Sequence, residues 1–215
     1  MIIGICGKSG CGKTTLANNI IELASREAVH LDIDKVGHQV ITIPEVKEEL
    51  VNTFGESILT EDYVDRKKLN KIVFDSKEEM AKLTEITWKH MQIIIDKFIS
   101  ENKDKIIILD WQLLPITQYF NMCDIKILLD VPYEIRKERT IKRDNITEEA
   151  FDLREKASTP INPNDFDYVL KDNGREQVER VVKSLWQKYY IQEVLILWQK
   201  DTWTSLNKQV NCSMK

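Results

Sequence analysis

Short apolar segments alternate with longer amphipathic segments along this chain. The apolar segments predict five strands: Ile2–Cys6, Val29–Ile33, Ile106–Asp110, Ile125–Val131 and Tyr168–Leu170. The first, third and fourth are almost continuously hydrophobic, which is typical of strands covered on both faces of a parallel sheet. The remaining segments predict helices: Thr14–Arg26, Pro44–Phe54, Lys67–Phe74, Lys77–Ser100, Pro132–Arg143, Glu148–Lys156 and Arg175–Lys200. This order predicts an α/β fold with a doubly wound, five-stranded parallel sheet.

The predicted elements form one domain over residues 1–215 with three additions to the sheet. Residues 35–100 are too long for a simple crossover between the second and third strands, so we expect an inserted helical subdomain. Residues 132–165 are expected to form a second region of helices beside the sheet. Residues 175–215 form a helical tail rich in tryptophan and tyrosine, whose aromatic side chains either pack on the domain or contact a partner.

Composition narrows the class of protein. The 215 residues include 31 Lys and Arg against 35 Asp and Glu, and this net charge of −4 argues against nonspecific nucleic-acid binding. The four cysteines show no metal-ligand spacing, so we expect free thiols and no zinc. We find no signal peptide and no apolar stretch of membrane-spanning length, and we therefore expect a cytoplasmic protein that binds neither membrane nor nucleic acid.

Glycine is scarce and unevenly distributed. Of the 7 glycines, four lie within the opening segment, at positions 4, 7, 10 and 12. The sequence Gly7–Thr14, GKSGCGKT, matches G-x-x-x-x-G-K-[ST] at every fixed position, and it lies between a buried strand and a helix. Such a loop wraps its backbone N–H groups around a phosphate, and the N-terminus of the following helix adds partial positive charge.

The loop predicts ATP and Mg²⁺ as ligands. We expect Lys13 to contact the β- and γ-phosphates and the Thr14 hydroxyl to bind Mg²⁺. The predicted nucleotide-binding residues of the loop are Gly7, Ser9, Gly10, Cys11, Gly12, Lys13, Thr14 and Thr15. Two interpretations of Cys11 stay open: a thiol whose pKa the helix N-terminus lowers, which permits a redox switch, or a small residue tolerated at a free position.

Carboxylates follow two of the predicted strands. Asp32 and Asp34 end the second strand, where alternation points them the same way, and Asp110 ends the third. Phosphoryl transfer requires a carboxylate that deprotonates the acceptor hydroxyl and another near Mg²⁺. Asp110 is thus a candidate Walker B residue that supports the metal. For Asp32 and Asp34 the alternative is an N-cap of the next helix.

A predicted helix carries three arginines on one face. Arg136, Arg139 and Arg143 follow the fourth strand at i, i+3 and i+7. One interpretation is a solvated charged face. The other is a lid, within residues 132–165, that closes over the transferred phosphate and excludes water.

Together these segments resemble the dephospho-coenzyme A kinases, a family of P-loop small-molecule kinases, from Met1 to about Gly174. The similar segments are Gly7–Thr15, Leu31–Asp34, Gly37–Val40, Phe54-Gly55, Asp65-Arg66, Ile108–Asp110, Leu113-Leu114, Leu129–Val131, Arg139-Thr140, Arg143-Asp144 and Asp172–Gly174. The resemblance implies phosphorylation of the 3′-hydroxyl of dephospho-coenzyme A (dephospho-CoA), the last step of coenzyme A biosynthesis.

The resemblance also implies roles for particular residues. Asp34 matches the general base for the ribose hydroxyl, and Arg139 matches the lid arginine. Arg143 would contact the nucleotide, and Asn173-Gly174 would lie near the adenine of ATP. The insertion over residues 35–100 matches the domain that binds the acceptor.

This sequence departs from the family pattern on the acceptor and lid side. Trp88-Lys89 replaces a usual His-Pro pair, Gln112 a proline, Lys156 a glutamine and Asn162 a basic residue. Two alternatives therefore stay open. One is a nucleoside or nucleotide kinase, in which a base stacks on Trp88 and bonds to Gln112. The other is a noncatalytic nucleotide-binding protein.

Overall fold

A parallel sheet forms the centre of the structure, a computed structural model that describes residues 1–24, 27–73, 76–172, 174, 176–184 and 187. The strands are β1 (Ile2–Cys6), β2 (Ala28–Asp32), β3 (Leu59–Thr60), β4 (Tyr63–Val64), β5 (Ile106–Asp110), β6 (Ile125–Leu129) and β7 (Tyr168–Leu170). Five of them form one sheet in the order β2-β5-β1-β6-β7, and each neighbouring pair is parallel. The predicted five-stranded parallel sheet is therefore confirmed. Strands β3 and β4 form a separate antiparallel hairpin.

Helices lie on both faces of this sheet. They are α1 (Lys13–Leu23), α2 (Ile33–Val40), α3 (Pro44–Phe54), α4 (Arg66–Val73), α5 (Lys77–Glu101), α6 (Gln118–Met122), α7 (Tyr133–Asp144) and α8 (Glu148–Ala157). Residues 176–184 are also helical. Local sequence sets several of the starts: the Ser76 hydroxyl caps α5 and the Thr147 hydroxyl caps α8. No helix among the described residues is long and apolar enough to cross a bilayer.

Two strands end earlier than the sequence pattern predicts. β2 ends at Asp32 instead of residue 33, because the Asp32 carboxylate accepts a hydrogen bond from the Lys35 amide and so starts helix α2. β6 ends at Leu129, two residues before the predicted end, and the chain then turns through Pro132 into α7. Helix α6 and the β3–β4 hairpin were not predicted, since both are very short.

The sheet is buried between two hydrophobic clusters. Successive side chains of β5 point to opposite faces, so Ile107 and Leu109 pack towards the helices α2–α6, whereas Ile106 and Ile108 pack towards α1. Helix 176–184 covers this second face through Val178, Val181 and Val182. The predicted tail aromatics Trp186, Tyr189, Tyr190, Trp198 and Trp203 lie outside the described residues.

Helix α5 organises the segment between β2 and β5. It packs against α2, α3 and α4. The Lys89 ammonium of α5 lies 2.9 Å from the Glu49 carboxylate of α3. The Tyr119 hydroxyl of α6 donates to Asp96 of α5 at 2.8 Å. These contacts hold the helices together on the face of the sheet to which Ile107 and Leu109 point.

Candidate active site

The phosphate-binding motif forms the turn between β1 and α1. Strand β1 ends at Cys6, and α1 begins at Lys13 directly after Gly12. Gly10 and Gly12 both adopt left-handed backbone, with φ of 79° and 93°, which glycine tolerates far better than any L-residue. Because Gly12 has no side chain to cap α1, the first amides of the helix stay available for an anion. The strand–loop–helix context that the motif requires is present.

Gly10 lies where the phosphate loop meets α7, and one added methyl group should disrupt this contact. A Cβ at position 10 would lie 2.4 Å from the Thr140 hydroxyl and 2.5 Å from the Arg136 carbonyl oxygen. Left-handed φ and overpacking together are expected to cost about 3 kcal/mol. We therefore expect Gly10→Ala to lower the free energy of unfolding by that amount, measured by urea denaturation.

Gly37→Ala is the matched control for this prediction. Gly37 lies within α2, and a Cβ there would meet only the flexible side chain of Met91, at 3.6 Å. Replacing a helical glycine with alanine is expected to stabilise the protein by roughly 0.5–1 kcal/mol. If both variants lost the same stability, the close packing of the phosphate loop on α7 would be wrong.

Asp110 connects the phosphate loop to the sheet. It ends β5 and is only 1% exposed. The Thr14 hydroxyl donates to Asp110 Oδ2 at 3.0 Å, and Lys13 Nζ lies 3.9 Å from Oδ1. Hydroxyl and carboxylate oxygens are ligands that suit Mg²⁺. The donor set of Thr14 and Asp110 therefore fits the predicted metal.

Lys13 stays charged although its side chain is mostly buried. Burial acts to lower the pKa of its ammonium, but nearby negative groups, including Asp110 and Asp34, outweigh it and raise the pKa above the usual value for lysine. The loop therefore presents a permanent cation to a bound phosphate.

His30 is a site residue that the sequence interpretation missed. Its Nε2 lies 3.4 Å from Asp110 Oδ2, and its side chain is 13% exposed. The available signal was a polar residue inside an apolar strand, two positions before Asp32 and thus on the same strand face. Its relation to Asp110, however, depends on the pairing of β2 with β5, which a single sequence does not show.

Asp32 and Asp34 do not share a strand face, and this expectation was wrong. Asp32 is the N-cap of α2, where its carboxylate accepts from the Lys35 amide at 3.2 Å and pairs with the Lys35 ammonium at 3.0 Å. Asp34 lies in the first turn of that helix. Capping therefore belongs to Asp32 alone, which leaves the Asp34 carboxylate for other chemistry.

The Asp34 carboxylate lies within electrostatic reach of the phosphate loop. Desolvation by the surrounding protein raises its pKa, and the negative charges of Asp32 and Asp110 act in the same direction. Lys13 opposes them, as does a hydrogen bond from Trp111. The side chain still reaches solvent. A partly desolvated carboxylate with a raised pKa beside a phosphate site is well suited to accept a proton.

The three arginines of α7 have different environments. Arg136 is 6% exposed and forms two hydrogen bonds of 2.9 Å to Glu155 of α8. Glu155 also accepts from Lys8 of the phosphate loop at 2.7 Å. This cluster of two cations on one carboxylate attaches α8 to the phosphate loop, and the Glu155 carboxylate occupies the Arg136 guanidinium. The sequence interpretation did not identify this role, since Glu155 lies on a different helix.

The other two arginines lie at the protein surface. Arg139 is exposed and forms no ion pair within the described part of the chain. Arg143 contacts the Ser9 hydroxyl at 3.3 Å and also pairs with Asp144, which holds a second contact to Arg154. Arg143 thus already touches the phosphate loop. Of the segment expected near adenine, Gly174 donates its amide to Asp172, and Asn173 lies outside the described residues.

Neither the Cys11 thiol of the loop nor the Cys6 thiol at the end of β1 has a lowered pKa. Cys11 is fully buried, and desolvation raises the pKa of its thiol, whereas the sequence suggested a lowered pKa. Burial likewise raises the pKa of Cys6 to about 12. The desolvation of a buried sulfur outweighs both the helix N-terminus and Lys13. The interpretation of Cys11 as a redox switch therefore loses its physical basis. The other interpretation remains, in which Cys11 is a small residue tolerated at a free position of the loop.

The positions that depart from the family pattern have different environments. The Trp88 ring stacks on Trp111, with centroids 5.7 Å apart, and meets Tyr119 edge-on. The backbone carbonyl of Gln112 accepts from the Cys6 thiol at 3.2 Å. Lys156 is exposed, and the Asn162 side chain caps a short 3₁₀ helix. Since an indole already covers one face of Trp88, that face is closed to a nucleoside base.

Comparisons with known proteins identify the family of this chain. The model of the family CoaE, dephospho-CoA kinase, matches residues 1–182. A dephospho-CoA kinase of Aquifex aeolicus is 38% identical over 86% of this chain and 96% of its own length. One of Fusobacterium nucleatum is 32% identical over 86% of this chain and 98% of its length. The crystal structure of TT1252 from Thermus thermophilus superposes with a TM-score of 0.74 at 25% identity, covering 87% and 97% of the two chains.

The family match includes the phosphate loop, Asp34, Asp110 and helix α7. The alignments with these two relatives, both above 30% identity, cover nearly all of each relative's length. This chain belongs to the dephospho-CoA kinase family.

Proposed function

We propose that this chain transfers the γ-phosphoryl group of ATP to the 3′-hydroxyl of dephospho-CoA, the last step of coenzyme A biosynthesis. The observation that supports this most directly is the convergence of Lys13, Thr14, Asp34 and Asp110 at the carboxyl ends of three strands, in a chain of this family. Ligands of open α/β sheets bind at this edge.

The phosphate loop is proposed to hold the triphosphate of ATP. Its backbone amides and the N-terminus of α1 surround the β-phosphate, and Lys13 neutralises charge on the β- and γ-phosphates. Arg143, which contacts the Ser9 hydroxyl, would bind the same phosphates. Arg139 lies on the exposed side of α7, from which it would close over the transferred group.

Thr14 and Asp110 are the residues that would hold Mg²⁺. When bound, the ion neutralises oxygens of the β- and γ-phosphates. The Thr14 hydroxyl donates a hydrogen bond to Asp110, so its oxygen lone pairs stay available for the cation. Asp110 therefore orients the hydroxyl and adds negative charge behind it.

Asp34 is proposed as the general base. It would accept the proton of the 3′-hydroxyl as the new O–P bond forms and the bond between the γ-phosphorus and its bridging oxygen breaks, which releases ADP. The stacked pair of Trp88 and Trp111 supports this corner of the site, since Trp111 also interacts with Asp34. Helix α5 packs against α2, which carries Asp34, and against α3 and α4, and these helices would hold the acceptor.

A substrate panel tests the proposal. Purified protein is incubated with ATP, Mg²⁺ and either dephospho-CoA or a panel of nucleosides and nucleotides, and ADP release is followed together with the mass of the product. We expect phosphorylation of dephospho-CoA at the 3′-hydroxyl. A preference for a nucleoside or nucleotide would replace the proposed acceptor, and ATP binding without transfer to any acceptor would indicate a noncatalytic protein.

A further inference from the structure

His30 occupies an unusual place in the sheet. It lies in β2, paired with Ile108 of β5, and faces the same side as Asp110 two residues further along β5. Its neighbours Val29 and Leu31 pack into the hydrophobic cluster on the opposite face. The Nε2 atom is buried and has no hydrogen-bond partner among the described residues, although Asp110 Oδ2 lies only 3.4 Å away. A buried ring nitrogen without a partner is rare and calls for an explanation.

The nearby carboxylate determines how Thr14 is oriented. Asp110 Oδ2, the oxygen closest to His30, is also the one that accepts the Thr14 hydroxyl proton at 3.0 Å. On the other oxygen, Lys13 remains 3.9 Å away, too distant for a hydrogen bond. A rotation of this carboxylate would therefore turn the Thr14 hydroxyl, and with it the lone pairs available to a cation.

We propose that His30 is a positioning residue for magnesium: when nucleotide and Mg²⁺ bind, the imidazole turns so that its Nε2–H donates to Asp110 Oδ2, now 3.4 Å away, and this bond fixes the carboxylate that orients Thr14. The inference rests on the proposed function, because it assumes the magnesium site of Thr14 and Asp110. A carboxylate only accepts, so the imidazole carries its proton on Nε2. Direct coordination by His30 is disfavoured, since Mg²⁺ selects oxygen ligands and Nε2 faces a carboxylate.

Two variants separate the hydrogen bond from the packing. His30→Leu fills a similar volume without a donor, whereas His30→Gln places an amide N–H near the position of Nε2. Isothermal titration calorimetry measures Mg²⁺ binding to the protein saturated with a nonhydrolysable ATP analogue, and binding of the analogue in EDTA serves as the metal-free reference. Loss of an outer partner of a metal ligand typically weakens metal binding about 10–100-fold.

We expect His30→Leu to weaken Mg²⁺ binding at least about tenfold, with metal-free nucleotide binding unchanged, and His30→Gln to restore most of the loss. Wild-type Mg²⁺ affinity in the leucine variant would overturn the inference, as would equal losses in both variants. If the wild-type protein itself bound the nucleotide without any effect of Mg²⁺, the proposed function would fail and the role of His30 with it.

A measurement on the unaltered protein tests the same inference without relying on the folding of a variant. Long-range ¹H–¹⁵N NMR distinguishes the imidazole tautomers, and the chain contains only 3 histidines to assign. We expect the Nε2–H form of His30 with and without Mg²⁺ and nucleotide. A neutral ring with its proton on Nδ1 would rule out the proposed hydrogen bond.

Discussion

Replacing Asp34 with asparagine is expected to lower kcat by at least about a hundredfold while leaving the affinity for ATP nearly unchanged. The amide has the shape of the carboxylate but accepts no proton from the acceptor hydroxyl. The loss should thus appear in kcat measured with saturating dephospho-CoA and ATP. Nucleotide binding, followed by calorimetry, depends on the phosphate loop and should stay within about twofold. Wild-type turnover in this variant would remove Asp34 from the mechanism.

Asp32→Asn is the matched control for this variant. Asp32 lies two residues away, also has a carboxylate near the site, and caps α2 through the Lys35 amide. Asparagine caps helices about as well as aspartate, so the fold of this segment should persist. We expect less than about a tenfold loss of kcat, because the proton acceptor is intact. Equal losses in the two variants would mean that general negative charge, not a specific base, is what the site requires.

The raised pKa of Asp34 also predicts a pH dependence. Only the ionised carboxylate accepts a proton, so kcat/KM should fall as pH decreases through the pKa of Asp34 in the free enzyme. Desolvation by the surrounding protein and the neighbouring carboxylates raise that pKa, which places the acidic limb of the profile above the ordinary aspartate value near 4. The profile of Asp34→Asn should lack this limb. An unchanged limb in the variant would assign it to another group.

The sequence predicts the site best where a motif and its context coincide. The loop from Gly7 to Thr14 and the acid at Asp110 follow buried strands whose apolar pattern is unmistakable, and parallel strands bring their carboxyl ends to one edge. The pattern fails at Asp32, because whether a strand continues or a helix begins depends on which carboxylate meets a free amide. Alternation alone does not decide between these outcomes.

Partners on distant segments are the other source of error. Arg136 and Arg139 look equivalent on a helical wheel. In the structure Arg136 forms an ion pair with Glu155 of α8, whereas Arg139 is exposed. His30 acquires its neighbour only through the register of β2 with β5. For Cys11 the sequence shows that the helix N-terminus and Lys13 act to lower the pKa of the thiol, but it does not show how deeply the sulfur is buried. In the structure the residue is fully buried, and desolvation raises the pKa. Each case requires a contact that the sequence does not encode locally.

Replacing Lys13 with methionine is expected to lower kcat about a thousandfold, since removing a cation from the transferring phosphoryl group typically costs this much. Methionine retains most of the apolar stem in a side chain that is only 11% exposed, so packing should change little. The positive charge facing Asp110 and Asp34 disappears, and ATP binding should weaken as well. Both effects are measured by steady-state kinetics and by calorimetry with ATP.

Lys8→Met is the control, because it removes the other ammonium of the same loop. The Lys8 ammonium is directed to Glu155 of α8, 2.7 Å away, and Arg136 keeps that carboxylate paired when Lys8 is lost. We therefore expect less than about a tenfold change in kcat, because Lys8 does not face the transferred group. If the two variants lost activity equally, the net charge of the loop would govern the rate, and the assignment of Lys13 to the phosphoryl group would be wrong. A large loss of kcat in Lys13→Met alone would mean that the reaction needs one cation at a defined position. The Asp110 carboxylate, 3.9 Å from the Lys13 ammonium, helps to hold that cation in place.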